Sequence, residues 1–256
     1  MRLCVQRQHY PLYSYGRDVV DDIGNLRHFR ATYQLNAAAY SSGWRSMPEM
    51  AGGGAVIDMG YHSIDMLHSY FGPPSRVFAV AAPGMIRGDV EETVSVTLEY
   101  ENGRVGSLFL SLCEPHKNEE LIVAGSAGAV RLRRDSLQRF NTKGDLMQTF
   151  THEGASSSAV IRTLVDFVAH LGDGDVAGDE VKRGLEVMST IDAIYRSMST
   201  KQPQSVPSVE QLRSMSRPAG GQEPTNGVRY RFQPSQRRYG SDLPPCRRAA
   251  TPWTLQ

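Results

Sequence analysis

Cysteine is scarce in this chain of 256 residues: Cys4, Cys113 and Cys246 are odd in number, far apart and without Cys-x-x-Cys spacing. That excludes a disulfide framework and a zinc–cysteine site, and reduced thiols fit the cytosol. Nowhere do apolar residues run to the roughly 18 that a membrane-spanning helix requires, and the first residues lack the apolar core of a signal peptide. The expected location is therefore cytoplasmic. Also missing is a Gly-x-Gly-x-x-Gly turn between a strand and a helix, since the glycine clusters at 52–54, 125–128, 172–178 and 220–221 do not have that spacing. Net charge is small as well, at +1, but it is unevenly spread. Residues 213–256 carry eight Arg and two acids, a balance of +6, which leaves −5 for residues 1–212.

What the chain does have is 40% apolar residues, enough for a sizeable core in one large or two small domains. One stretch stands out. From Ala55 to Phe71 the apolar residues Ile57, Ile64, Leu67 and Phe71 recur at helical spacing, and Gly72-Pro73-Pro74 stops the helix. At about 100° per residue, Asp58, His62 and Asp65 fall within roughly 60° of one another, away from the apolar stripe. An imidazole near a carboxylate is held in one orientation and kept basic, as a proton-transfer group near neutral pH requires. Gly52-Gly53-Gly54 just ahead lets a backbone or a flat ligand approach the unpaired amides of the helix start. On spacing alone, a solvated helix flank is the commoner outcome.

The glycine triplet followed by Asp58, Gly60, His62 and Asp65, and preceded by Ser42-Gly43-Trp44-Arg45, resembles the substrate-domain signature of the Gfo/Idh/MocA family of NAD(P)-dependent oxidoreductases. The resemblance runs from Leu3 to Val206, and its Asp-x-x-x-His core with the glycines is the most specific part. It implies an α+β fold, an open and mainly antiparallel sheet with helices packed on one face, like the C-terminal domain of glyceraldehyde-3-phosphate dehydrogenase. It further implies hydride transfer between NAD or NADP and a sugar or polyol, with His62 taking the hydroxyl proton and Asp58 orienting it. On the substrate side it places Arg45, Trp44, His9 and Tyr10. Asp65 is a weaker substrate candidate, expected instead to fix the helix start or the His62 tautomer. Arg7, Gly53 and Gly54 fall on the cofactor side.

The chain departs from the family where a dinucleotide would bind. A Rossmann unit and the family's Glu-Lys-Pro segment are both missing, so residues 1–24 read as the end of a dinucleotide-binding domain. Residues 25–210 read as the substrate domain and 211–256 as a disordered basic tail. Low or absent turnover by this chain alone is the expectation, and Met1 is open to being an internal start. Trp44 reads as a packing anchor rather than a stacking platform, whereas the planar fork of Arg45 suits phosphate or carboxylate.

Along the chain, a helix is expected over Leu12–Ile23 and a first sheet strand over Arg27–Leu35. Further strands are expected at Arg76–Ala82, Glu92–Tyr100, Arg104–Leu112, Glu119–Gly125, Ala129–Arg133, Leu137–Asn141 and Leu146–Thr151. Glu101-Asn102-Gly103 is a hairpin turn. Two helices, Ser157–Leu171 and Asp179–Met198, are expected to pack on the sheet through Leu164, Phe167, Val168 and Leu171 and through Leu185, Met188, Ile191 and Ile194. The other sheet face is left for pairing with a second copy.

Three rival readings stay open. The same fold serves equally as a non-catalytic oligomerisation or scaffold module. A metal held by Asp58, His62, Asp65 and His68 is disfavoured because His68 turns toward the apolar stripe, and no metal is expected. The basic tail with Tyr230, Phe232, Tyr239 and Trp253 is an unselected extension rather than a nucleic-acid module.

Overall fold

The computed structural model describes residues 6–37, 43–82, 90–152, 155–170 and 174–215. Among them nine strands are found: β1 Leu26–Asn36, β2 Arg76–Ala82, β3 Thr93–Glu99, β4 Val105–Ser111, β5 Cys113–Gly125, β6 Ala129–Arg133, β7 Ser136–Phe140, β8 Leu146–Thr151 and β9 Gln204–Ser205. They form one sheet in the order β8-β7-β6-β5-β1-β4-β3-β2-β9. Strand β1 runs parallel to β4 and antiparallel to β5, and the remaining pairings are antiparallel. Six helices accompany the sheet: α1 Pro11–Asp21, α2 Pro48–Ala51, α3 Tyr61–Phe71, α4 Ala155–Ala169, α5 Gly174–Thr200 and α6 Val209–Met215.

The alternation of the strands decides which face is covered. Val94, Val96 and Leu98 of β3, Leu108 and Leu110 of β4, and Leu121 and Val123 of β5 are buried. Their pairing places them on one face, with Val96 opposite Leu108, and Ala31 of β1 between Leu108 and Leu121. Against that face lie Leu12, Tyr13 and Val19 of α1, Ile64, Leu67 and Phe71 of α3, and Val187, Ile191, Ile194 and Met198 of α5. The opposite face stays open, with Phe78, Val80 and Val105 36–45% exposed. The result is an α+β architecture with an open, mostly antiparallel sheet.

One aromatic pair pins α3 to the sheet. Phe29 of β1 stacks on Phe71 at 4.1 Å with planes 9° apart, and its ring lies where a Cβ on Gly106 would sit, 2.0 Å away. Only glycine on β4 leaves room for that ring.

Several expectations need correction. The stretch 55–71 is not one continuous α-helix: a π-turn over Val56–Gly60 precedes α3, and Ile57 is only partly buried. In α4 the apolar residues Val160, Ile161, Leu164, Val165 and Val168 are 49–63% exposed, and Phe167 is 41% exposed, while Ala159 and Thr163 are buried. The helix turns its narrow side inward because it packs on the short turn Gln6–His9 rather than on the sheet. In α5, Leu185 and Met188 are also exposed, since the half of that helix beyond them is what lies over β2. There the Ser197 hydroxyl accepts the Ala79 N–H at 2.9 Å. Helix α6 occupies the first residues of the expected tail, because Ser208 caps it through the Gln211 N–H at 3.2 Å. The remainder of that tail, the first five residues of the expected dinucleotide-domain remnant, and Leu171 lie outside the described residues.

Candidate active site

The site begins with an acid the sequence does not advertise. Glu91 is 1% exposed, and its carboxylate accepts the Gly54 N–H at 2.8 Å, the Val56 N–H at 3.1 Å and the Tyr195 hydroxyl at 2.9 Å. Its own carbonyl accepts the Ala55 N–H at 2.8 Å. These bonds satisfy amides that the start of a helical segment leaves without partners. Burial pushes the Glu91 carboxyl above its ordinary value, against the pull of the donors.

This anchoring explains the glycine triplet. Gly52 and Gly53 have positive φ, 75° and 155°. A Cβ on Gly53 would lie 1.8 Å from the Tyr195 hydroxyl, and one on Gly54 would lie 1.9 Å from the Glu91 carbonyl oxygen. The close approach that glycine permits is thus taken up by the chain itself. Gly53 and Gly54, expected on the cofactor side, present no open backbone to a nucleotide.

The π-turn then resets the helix face. The Tyr61 N–H bonds back to the Val56 carbonyl, one residue farther than in an α-helix, so Asp58 no longer keeps its α-helical spacing to His62 and Asp65, which share α3. Asp58 is exposed and His62 half-buried. Asp65 is 1% exposed and is gripped by Arg183 of α5, whose Nε and Nη2 donate to its two oxygens at 2.5 and 2.7 Å. Burial raises the Asp65 carboxyl against the attraction of that guanidinium. Asp65 therefore ties α3 to α5.

His62 sits on the rim of this arrangement. Its Nδ1 is enclosed and without a hydrogen-bond partner, and its ring meets Tyr61 edge-on at 5.8 Å. The Asp58 carboxylate acts on it through charge rather than through a hydrogen bond. Burial and then the Arg7 guanidinium lower its pKa below 6.5, with Glu119 and Asp58 opposing. The imidazole is therefore neutral at pH 7 and able to accept a proton.

Beneath His62 lies a buried polar network. Arg7, 4% exposed, donates from Nη1 to the Ser63 hydroxyl at 2.9 Å, and its Nε lies 3.2 Å from Glu119. Its guanidinium covers the Tyr33 ring at 4.2 Å, and the Tyr13 hydroxyl donates to Glu119 at 2.9 Å. Arg7 is thus committed to protein partners and fits a nucleotide no better than the glycines do. The residues nominated for the cofactor do not form a dinucleotide cradle.

Around the mouth, Arg45 Nε lies 4.0 Å from Asp58, and its guanidinium stacks 4.5 Å over the ring of Trp44, which is 51% exposed. Trp44 is thus an open platform and not a packing anchor. His9 is half-buried, with Asp166, Arg183, Arg162 and Glu180 near it, and burial lowers its pKa. Tyr10 is 6% exposed and packs on Tyr13 at 5.3 Å, so it belongs to the core rather than to the cleft. His68 is half-buried with Nε2 3.1 Å from the Thr190 hydroxyl, and desolvation pulls it down to about 4. Among the described residues no group of three or more His, Cys, Asp or Glu converges to hold a metal ion.

Asp58, Arg45 and Trp44 are therefore brought together, the charges of Asp58 and Arg7 act on His62, and those of Asp166, Arg162, Glu180 and Arg183 act on His9. The residues not foreseen are Glu91, Glu119, Arg183 and Tyr195. Their partners are 35 to 118 positions away in the chain, so no local pattern reveals them.

Residues 17–131 match the profile of the GFO/IDH/MocA C-terminal domain. A protein of Amycolatopsis mediterranei described as a UDP-kanosamine synthase oxidoreductase subunit is 24% identical over 213 residues, 71% of this chain and 60% of that protein. The levoglucosan dehydrogenase of Pseudarthrobacter phenanthrenivorans is 29% identical over 147 residues, 45% of this chain and 38% of the enzyme. A structure of levoglucosan dehydrogenase in complex with NADH and levoglucosan superposes with a TM-score of 0.68 at 22% identity, covering 80% of this chain and 65% of the enzyme. The chain thus spans less than two thirds of these relatives. No helix among the described residues is long and apolar enough to cross a membrane. Sequence match and fold converge: residues 17–131 are similar to the GFO/IDH/MocA C-terminal domain, and the described fold is similar to that of levoglucosan dehydrogenase.

Proposed function

We propose that this chain supplies the substrate half of an NAD(P)-linked dehydrogenase acting on a sugar or polyol, with His62 as its acid–base group. The carrying observation is a half-buried imidazole at the start of α3 that feels the charge of Asp58, a carboxylate lying 4.0 Å from Arg45, whose guanidinium stacks on the exposed ring of Trp44. During oxidation the imidazole takes the proton of the substrate hydroxyl on the nitrogen opposite the enclosed Nδ1, and during reduction it returns that proton to the alkoxide. Trp44 offers its ring to the apolar face of a sugar, while Arg45 and Asp58 supply a donor and an acceptor for neighbouring hydroxyls. The levoglucosan dehydrogenase structures, with NADH and either levoglucosan or L-sorbose bound, support this substrate class.

The nicotinamide is not assigned to Arg7, Gly53 or Gly54, which are closed by their own contacts. Turnover is therefore weak or absent in the chain alone and needs a dinucleotide-binding domain, with residues 25–210 acting as the substrate domain of a cytoplasmic enzyme. The open sheet face, with Phe78 and Val80 exposed, is the surface through which copies of the chain associate. The same closure of Arg7 and the glycines favours a second reading, a non-catalytic oligomerisation domain.

The test is a fusion of this chain to the dinucleotide-binding part of levoglucosan dehydrogenase, offered sugars and polyols with NAD or NADP. Substrate-dependent reduction of the nicotinamide that disappears in His62→Gln supports the enzyme. Its absence from a folded fusion that binds NADH favours the scaffold.

A further inference from the structure

We propose that Glu119 is a positioning residue for His62: it holds Arg7, and through Arg7 and Ser63 the helical turn that carries the imidazole, while cancelling the guanidinium charge beside that ring. The inference rests on the reading of His62 as the acid–base group and adds what keeps that group in its working state.

The geometry carries the argument. Arg7 and Glu119 are a desolvated pair, with side chains 5% and 7% exposed and 3.2 Å between Nε and the carboxylate. Glu119 lies on β5 directly opposite Tyr33 of β1, and Arg7 lies over the Tyr33 ring, so sheet register places acid, ring and cation in one stack. With Nε occupied by Glu119, Nη1 is left to donate to Ser63, the residue after His62. Tyr13 holds the far side of the arrangement by donating to the same Glu119 oxygen. A buried cation without its counter-ion is strongly unfavourable, so Glu119 also keeps Arg7 in place.

The charges around His62 are few. Arg7 comes from the turn Gln6–His9, Glu119 from β5 and Asp58 from the π-turn. Arg183 of α5 is taken by Asp65, and β4 brings only the apolar Leu110 against Gly60. Removing Glu119 leaves Arg7 as the dominant charge near the ring and weakens its hold on a proton. Removing Arg7 does the reverse.

The test uses the 256-residue chain with labelled histidine and follows the His62 ring by NMR through a pH titration, a readout independent of turnover. In Glu119→Gln the His62 midpoint falls by about half a unit or more. In Arg7→Met it rises, and in the double variant it returns toward the parent. Glu119→Asp retains the parent midpoint, and Tyr13→Phe, which removes a neutral donor, leaves it nearly in place. A folded Glu119→Gln protein with the parent midpoint overturns the proposal. If that variant does not fold, an unchanged or lowered midpoint in Arg7→Met overturns it instead. A purely structural role for the pair gives no opposite shifts. Loss of the dehydrogenase reading alone shows as absent turnover with these shifts intact.

Discussion

Arg183 and Asp65 meet fork to fork, both carboxylate oxygens engaged at 2.5 and 2.7 Å across 118 positions of sequence. The pair ties the first half of α5 to the helix carrying His62, at a point where the carboxylate is 1% exposed. Asp65→Ala strands a partly buried guanidinium, and urea denaturation is expected to show a loss of about 3 kcal/mol.

His68 makes stability depend on pH. The unfolded ring takes up a proton near 6.5, whereas the folded, desolvated ring holds out to about 4. Between those values the unfolded chain binds more protons, so stability falls as pH falls, by about 3 kcal/mol once both are passed. His68→Gln is expected to remove that part of the fall between pH 7 and pH 4, leaving the falling slopes of His62 and His9 and the opposing slopes of Glu91 and Asp65, whose carboxyls are raised in the fold.

The glycine triplet separates two kinds of constraint. A Cβ on Gly52 meets nothing within 4 Å, so Gly52→Ala costs only the strain of its φ of 75°, about 1 kcal/mol. A Cβ on Gly54 would enter the Glu91 backbone at 1.9 Å. Gly54→Ala is expected to lose about 3 kcal/mol or more, because backbone cannot swing away as a flexible side chain does. Thermal unfolding of the two variants gives the comparison.

Helix α4 gives the opposite contrast. Leu164 is 57% exposed and Leu67 is 1% exposed. Leu164→Ala is expected to change stability by no more than about 0.5 kcal/mol, and Leu67→Ala to lose about 2–5 kcal/mol.

Legibility in the sequence followed the range of the interaction responsible. The limits of β2, β6 and β8 match those expected from alternation, and Glu101-Asn102-Gly103 does close a hairpin between β3 and β4. Period and turn chemistry act over a few residues and are written locally. The nearness of Arg45 and Trp44 to Asp58 was implied by the family resemblance and not by spacing alone. The role of Asp65 was not legible, because its partner Arg183 lies on α5, 118 positions away. The closed glycines depend on Glu91 and Tyr195, and the exposed face of α4 on its packing against Gln6–His9, none of which periodicity encodes.

The most direct test of the account is proton transfer at His62 itself. In the fusion described above, nicotinamide-linked oxidation of a sugar or polyol is compared between the parent and His62→Gln, with matched folding and NADH binding. The predicted result is a loss of about 100-fold or more in kcat for His62→Gln. Equal turnover in the two proteins would contradict the account.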